Sequence, residues 1–162
     1  MTYAIRPFER GDYHRVLHIC VSAFTPIHEG FEKALGPDIF ARQYDGWKDR
    51  YADDLIRLMN AGPQTQVHVA EREGVVVGFV TTTVDEKTRV GEIGLNAVLP
   101  AHQGKGAGKA MYAFALDALK ARGAEVAYVG TGADAAHAPA RAAYEAMGFD
   151  KSIPGIHYFR KL

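Results

Sequence analysis

The stretch Ile93-Gly94-Leu95-Asn96-Ala97-Val98-Leu99-Pro100-Ala101-His102-Gln103-Gly104-Lys105-Gly106-Ala107-Gly108 passes from an apolar, strand-like run into a glycine-rich turn. Residues Ala107 to Ala121 then repeat apolar side chains at helical spacing, so the turn opens a helix. The first turn of a helix has unpaired N–H donors and a partial positive charge, and glycines let a pyrophosphate approach without meeting Cβ atoms. Lys105 and Lys109 add cationic charge at the same place. The junction is therefore predicted to hold phosphate.

Two common phosphate motifs fail letter by letter. A Walker A loop needs glycine where this chain has Gln103, and a Ser or Thr where it has Ala110. The dinucleotide fingerprint needs a further glycine where its two frames place Lys109 or Met111. What survives is Gln103-Gly104-Lys105-Gly106-Ala107-Gly108, preceded by Val98-Leu99-Pro100, and this resembles the pyrophosphate arm of the GNAT superfamily of acyl-CoA-dependent N-acyltransferases. Downstream, His137-x-x-Ala140-x-x-x-Tyr144-Glu145-x-x-Gly148-Phe149 is similar to that superfamily's second signature, with His137 in place of the usual asparagine. The likeness covers roughly residues 75 to 160.

The resemblance implies an α/β fold: a mixed central sheet with a largely antiparallel N-terminal meander, a parallel strand pair at the coenzyme A cleft, and helices on both faces. It implies transfer of an acetyl group from acetyl-CoA, a cosubstrate, to a primary amine by direct attack. The acceptor would be a small-molecule amine or a peptide N-terminus, and a homodimer is compatible with the family. Gln103, Gly104, Lys105, Gly106, Ala107, Gly108 and Lys109 would hold the diphosphate; Asn96, Ala97 and Val98 would meet the pantetheine amides, with the Val98 N–H polarising the thioester carbonyl. His137, Ala140 and Tyr144 complete the carrier site. Tyr144 is also the expected acid for the departing thiolate, since a phenol titrates near 10 in water and is protonated at neutral pH. Glu92 is the candidate base, acting through water, on the face of Gly94 and Asn96 if the strand is unbulged.

Each role has a plainer counterpart. The glycines could merely shape a tight turn, residues 96–98 could form an ordinary central strand, Tyr144 could be a core aromatic, and Glu92 an exposed carboxylate. His137 could simply precede its helix, and Arg141 reads more readily as exposed than as a phosphate contact. His28 is a second candidate base, read more simply as a surface histidine. Tyr44, Trp47 and Tyr51 recur at helical spacing, either as an acceptor-pocket wall or, more simply, as helix packing. A non-catalytic acyl-CoA sensor and a mononucleotide-binding domain are the rival functions.

Composition narrows the field. The 162 residues form one domain, 1–162, by length. Lys and Arg total 19 against 19 Asp and Glu, which removes the electrostatic footprint of a dedicated nucleic-acid binder. The single cysteine, Cys20, lies in the apolar pattern Val16, Ile19, Ala23 and reads as a packed thiol. One thiol, no signal-like run and no apolar stretch of membrane-spanning length give a cytoplasmic expectation without a membrane partner. The remaining histidines lack ligand spacing with Cys or carboxylates, so no metal is expected.

Around the decisive stretch, Tyr3 to Pro7 reads as a first strand and Tyr13 to Phe24 as an amphipathic helix that Thr25-Pro26 should end or bend. A second helical region spans about Asp38 to Leu58, interrupted near Asp45-Gly46. Gln66–Glu71 and Val75–Val84 form a hairpin about Glu73-Gly74, a third strand covers Gly91 to Leu99, and Val126–Val129 is a short strand. A helix over Ala140 to Met147 and a last strand over Ile156 to Arg160 close the chain.

Overall fold

The computed structural model describes residues 2–162. Its sheet has five strands in sequential order: β1 (Ala4–Pro7), β2 (Thr65–Arg72), β3 (Val75–Asp85), β4 (Val90–Val98) and β5 (Val126–Val129). The first four pair antiparallel, and β5 joins β4 in parallel. Helices α1 (Tyr13–Leu35), α2 (Pro37–Tyr44) and α3 (Trp47–Met59) precede β2, while α4 (Ala107–Ala121) connects β4 to β5 and α5 (Ala138–Ala146) follows it. This is the mixed sheet with helices on both faces that the sequence predicts.

Burial in β3 is continuous from Val76 to Thr82, so its alternating side chains load both faces of the sheet. Val80 and Val84 pack with Ile93, Met111, Ala115, Leu119 and Tyr144 under α4 and α5. Phe79 packs with Val16, Ile19, Cys20, Leu55 and Val69 under α1 and α3. Burying each such apolar side chain is worth about 1.5–3 kcal/mol relative to exposure, so the two half-cores fix the sheet from both sides. Cys20 is fully buried, and that burial pushes its thiol up to about 12, in keeping with a packed thiol.

Three sequence expectations are corrected. Helix α1 does not stop at Thr25-Pro26 but runs on to Leu35. Pro26 is exposed, the Thr25 hydroxyl donates to the Val21 carbonyl at 2.7 Å, and packing against α2 and α3 holds the later turns. Ile156–Arg160 is not a strand: residues 150–162 have no ladder partner, and alternation without a partner does not make a strand. Finally, β4 is bulged. Thr82 pairs with Ile93 but Val80 pairs with Asn96, so Gly94 and Leu95 together oppose Thr81.

Candidate active site

The bulge decides which way the site residues point. Ile93 and Asn96 face α4 and α5, whereas Glu92, opposite Thr83, and Leu95 face the α1/α3 side. A Cβ on Gly94 would come 2.8 Å from the Thr81 hydroxyl, so a side chain there would have to displace the buried Thr81. Glu92 therefore does not share a face with Asn96, contrary to the unbulged expectation, and its side chain is exposed.

Pairing between β4 and β5 runs only from Val90/Val126 to Ile93/Val129. Beyond it, residues 94–98 have no parallel neighbour. Leu99 N–H donates to the Val77 carbonyl at 2.8 Å, so strand alternation turns the Asn96 and Val98 N–H groups away from β3, toward the opening. Asn96 Nδ2 donates to the Gly94 carbonyl at 2.8 Å, and Gln103 Nε2 donates to the Val98 carbonyl at 3.0 Å. Side chains thus engage two carbonyls here. Ala97 is buried against the α1/α3 core and serves as strand scaffold.

One turn further, Gly104 and Gly106 adopt φ of +69° and +92°, so two of the three glycines are conformational requirements. Gly108 lies inside α4 with φ in the ordinary range and is the one the turn does not need. Space above Gly104 and Gly106 is open: a Cβ there would meet nothing within 4 Å. Gly106 is the N-cap of α4 and provides no side-chain cap, so the N–H groups of Ala107, Gly108 and Lys109 lack a capping side chain. Lys105 folds back and donates to the Ala101 carbonyl at 2.7 Å; Lys109 is exposed beside the turn.

Tyr144 is 6% exposed, in the core between α5 and the sheet, and its ring lies 5.0 Å from that of Tyr112. Asn96 Nδ2 is 3.4 Å from the Tyr144 hydroxyl, and the Tyr112 hydroxyl donates to Asn96 Oδ1 at 2.9 Å. Burial, then the neighbouring Tyr144, push Tyr112 above the ordinary phenol range. Tyr112 was not anticipated from sequence. Its only signal is its place on the buried stripe with Met111, Ala115 and Leu119, where any tyrosine reads as packing.

His137 ends a short 3-10 turn, Ala135–His137, just before α5. Its Nδ1 lies 2.6 Å from Asp134 Oδ2, and Asp134 Oδ1 accepts from the Ala136 and His137 N–H groups. Burial pushes the Asp134 carboxyl up, but the His137 and backbone donors outweigh it and hold it below the ordinary range. With the Nδ1 proton directed at Asp134, a neutral His137 leaves Nε2 as an acceptor. Asp134 also escaped the sequence reading, although an aspartate directly before a helical turn is a capping signal. Ala140 packs against the α4/α5 core. Arg141 donates to the Gly132 and Asp134 carbonyls at 2.7 and 2.8 Å, tying down the loop after β5.

His28 is buried, not on the surface. Its ring stacks on Trp47 at 4.0 Å and meets Phe31, Phe40, Tyr44 and Tyr51, so Tyr44, Trp47 and Tyr51 converge on one histidine. Burial, aided by Arg50, lowers its pKa to about 4. Phe31 in turn lies 6.4 Å from the His137 ring, linking this cluster to the loop after β5. Among the described residues no group of three or more His, Cys, Asp or Glu could hold a metal, and no helix is long and apolar enough to cross a membrane.

A sheet whose parallel pair parts beside an uncapped, glycine-lined helix start defines the class of protein. Residues 32–149 match the Acetyltransferase (GNAT) family, and the chain belongs to that family. Among curated relatives, a mycothiol acetyltransferase of Streptomyces griseus is 41% identical over 81 residues, which cover 50% of this chain and 26% of that protein. The Streptomyces coelicolor mycothiol acetyltransferase is 37% identical over the same shares, so the match spans about a quarter of the length of these relatives. Similar folds include the PaiA N-acetyltransferase of Thermoplasma acidophilum in complex with coenzyme A, with TM-score 0.69, 15% identity, and 93% and 91% of the two chains covered. A GNAT family acetyltransferase from Brucella melitensis in complex with acetyl-CoA has TM-score 0.64 and 23% identity, covering 93% and 84%.

Proposed function

We propose that the chain transfers an acetyl group from acetyl-CoA to a primary amine by direct attack. The observation that carries this reading is the end of β4–β5 pairing at Ile93/Val129, beside the open turn at residues 103–108. Backbone N–H groups of residues 107–109, with Lys109 nearby, would bind the diphosphate. Asn96, Val98 and His137 Nε2 would pair with the pantetheine amides as a further strand would. Acetyl-CoA bound there supplies an activated acyl carbon.

The chain's own groups then divide the work. The Val98 N–H donates to oxygen charge that develops at the acyl carbon. Glu92, on the α1/α3 side, takes the amine proton through water as the C–N bond forms. Tyr144, on the α4/α5 side, gives its hydroxyl proton to sulfur as the C–S bond breaks. Cys20 is fully buried, and burial pushes its thiol up to about 12, which disfavours an acyl-cysteine route. Acid and base on opposite sides of one strand suit attack from one side and departure on the other.

Incubating the protein with acetyl-CoA and a panel of amines while following thiol release tests the activity; acetyl-CoA binding without transfer to any amine would favour a sensor. Tyr144→Phe should lower kcat roughly 10²-fold with a smaller change in the KM for acetyl-CoA. Wild-type turnover by that variant across pH would remove Tyr144 from the role.

A further inference from the structure

A groove of about 390 Å³ lies on the α1/α3 side, lined by Asp54, Arg57, Leu58, Ala61 and Leu95. The first four recur at i, i+3, i+4 and i+7, one stripe of α3 continued into the turn after it. The fifth is the bulge residue of β4, turned to this side together with Gly94 and next to the stretch that β5 leaves unpaired. Glu92 lies on the same face three residues earlier. We infer that this groove receives the acceptor and selects a primary amine borne on an apolar carbon skeleton, an inference that rests on the acetyl-transfer reading.

Chemistry separates the floor from the rim. Leu58, Ala61 and Leu95 offer no hydrogen-bonding side chain, so a polyhydroxylated acceptor would leave hydroxyl groups unpaired as it lost water, whereas an alkyl or alicyclic body loses nothing. At the rim, Asp54 contacts Arg57 through one carboxylate oxygen, and its side chain is 42% exposed. Arg57 neutralises Asp54, so the exposed Glu92 on the same face is the carboxylate that attracts an ammonium group. The groove's position brings that nitrogen to β4 from the side opposite Tyr144. Its volume falls within the range usual for small-molecule pockets, roughly 300–1,000 Å³.

The test compares thiol release from acetyl-CoA by the full chain with n-hexylamine, cyclohexylmethylamine and glucosamine. The two apolar amines should exceed glucosamine in kcat/KM by at least about tenfold. Ala61→Phe, which narrows the groove, and Leu58→Gln, which makes its floor polar, should each raise the KM for n-hexylamine about tenfold or more. Calorimetric affinity for acetyl-CoA should stay at the wild-type value in both variants. Preference for glucosamine, or an unchanged amine KM in both variants, overturns the groove. Failure to acetylate any of the three amines while acetyl-CoA still binds also overturns it and leaves the carrier site standing. Failure to bind acetyl-CoA at all overturns the reading beneath it.

Discussion

His28 sits among five aromatic rings with its Nδ1 buried and unpartnered, an environment that tolerates the neutral imidazole and penalises the cation. Its folded-state pKa, about 4, lies below the ordinary histidine value of about 6.5, so the unfolded chain takes up the extra proton first as pH falls. The stabilisation is whole above pH ~6.5 and is lost as the pH drops through that value toward 4. Thermal melts across this window should therefore fall more steeply for the wild type than for His28→Phe. Buried His68, also lowered by burial, contributes equally to both proteins and cancels in the comparison. Parallel melting curves would show that His28 titrates normally. At such a pKa, and enclosed by rings, His28 is poorly placed to take up a proton near neutrality.

At the level of single elements, the turn into α4 is where a demanding backbone conformation and the proposed diphosphate site coincide. Gly106→Val would force a β-branched residue to φ +92°, at a cost of about 1–3 kcal/mol, or reshape the turn. Acetyl-CoA affinity measured by calorimetry should fall by about tenfold or more, with the helical circular dichroism retained; unchanged affinity would separate the turn from the carrier. The same helix shows what sequence conveys well. Ala107–Ala121 and Val126–Val129 were legible to the residue because periodicity and glycine punctuation are local signals. The bulge in β4 was not, because register belongs to two strands and nothing in Gly94-Leu95 alone announces it. The burial of His28 was likewise hidden, since rings from α2 and α3 enclose it. Pro26 belongs here too: the stop it offers in local terms is overridden by packing along the rest of α1.

Taken whole, the molecule is two half-cores on one sheet, and residues 150–162 belong to neither. Ile153, Ile156 and Tyr158 are 98%, 76% and 89% exposed, and Lys161 reaches Asp38 in an exposed, solvent-screened ion pair. Deleting residues 152–162 should accordingly move Tm by less than about 4 °C; a larger drop in a differential scanning trace would mean that the tail packs on the domain in solution. The order of the folded part has a further effect through the bulge. By sending Asn96 to one side of the sheet and Glu92 and Leu95 to the other, it would, under the proposed function, give carrier and acceptor separate doors that meet only at the parted strands. Neither ligand would then have to vacate before the other enters, and a ternary complex would hold both at once.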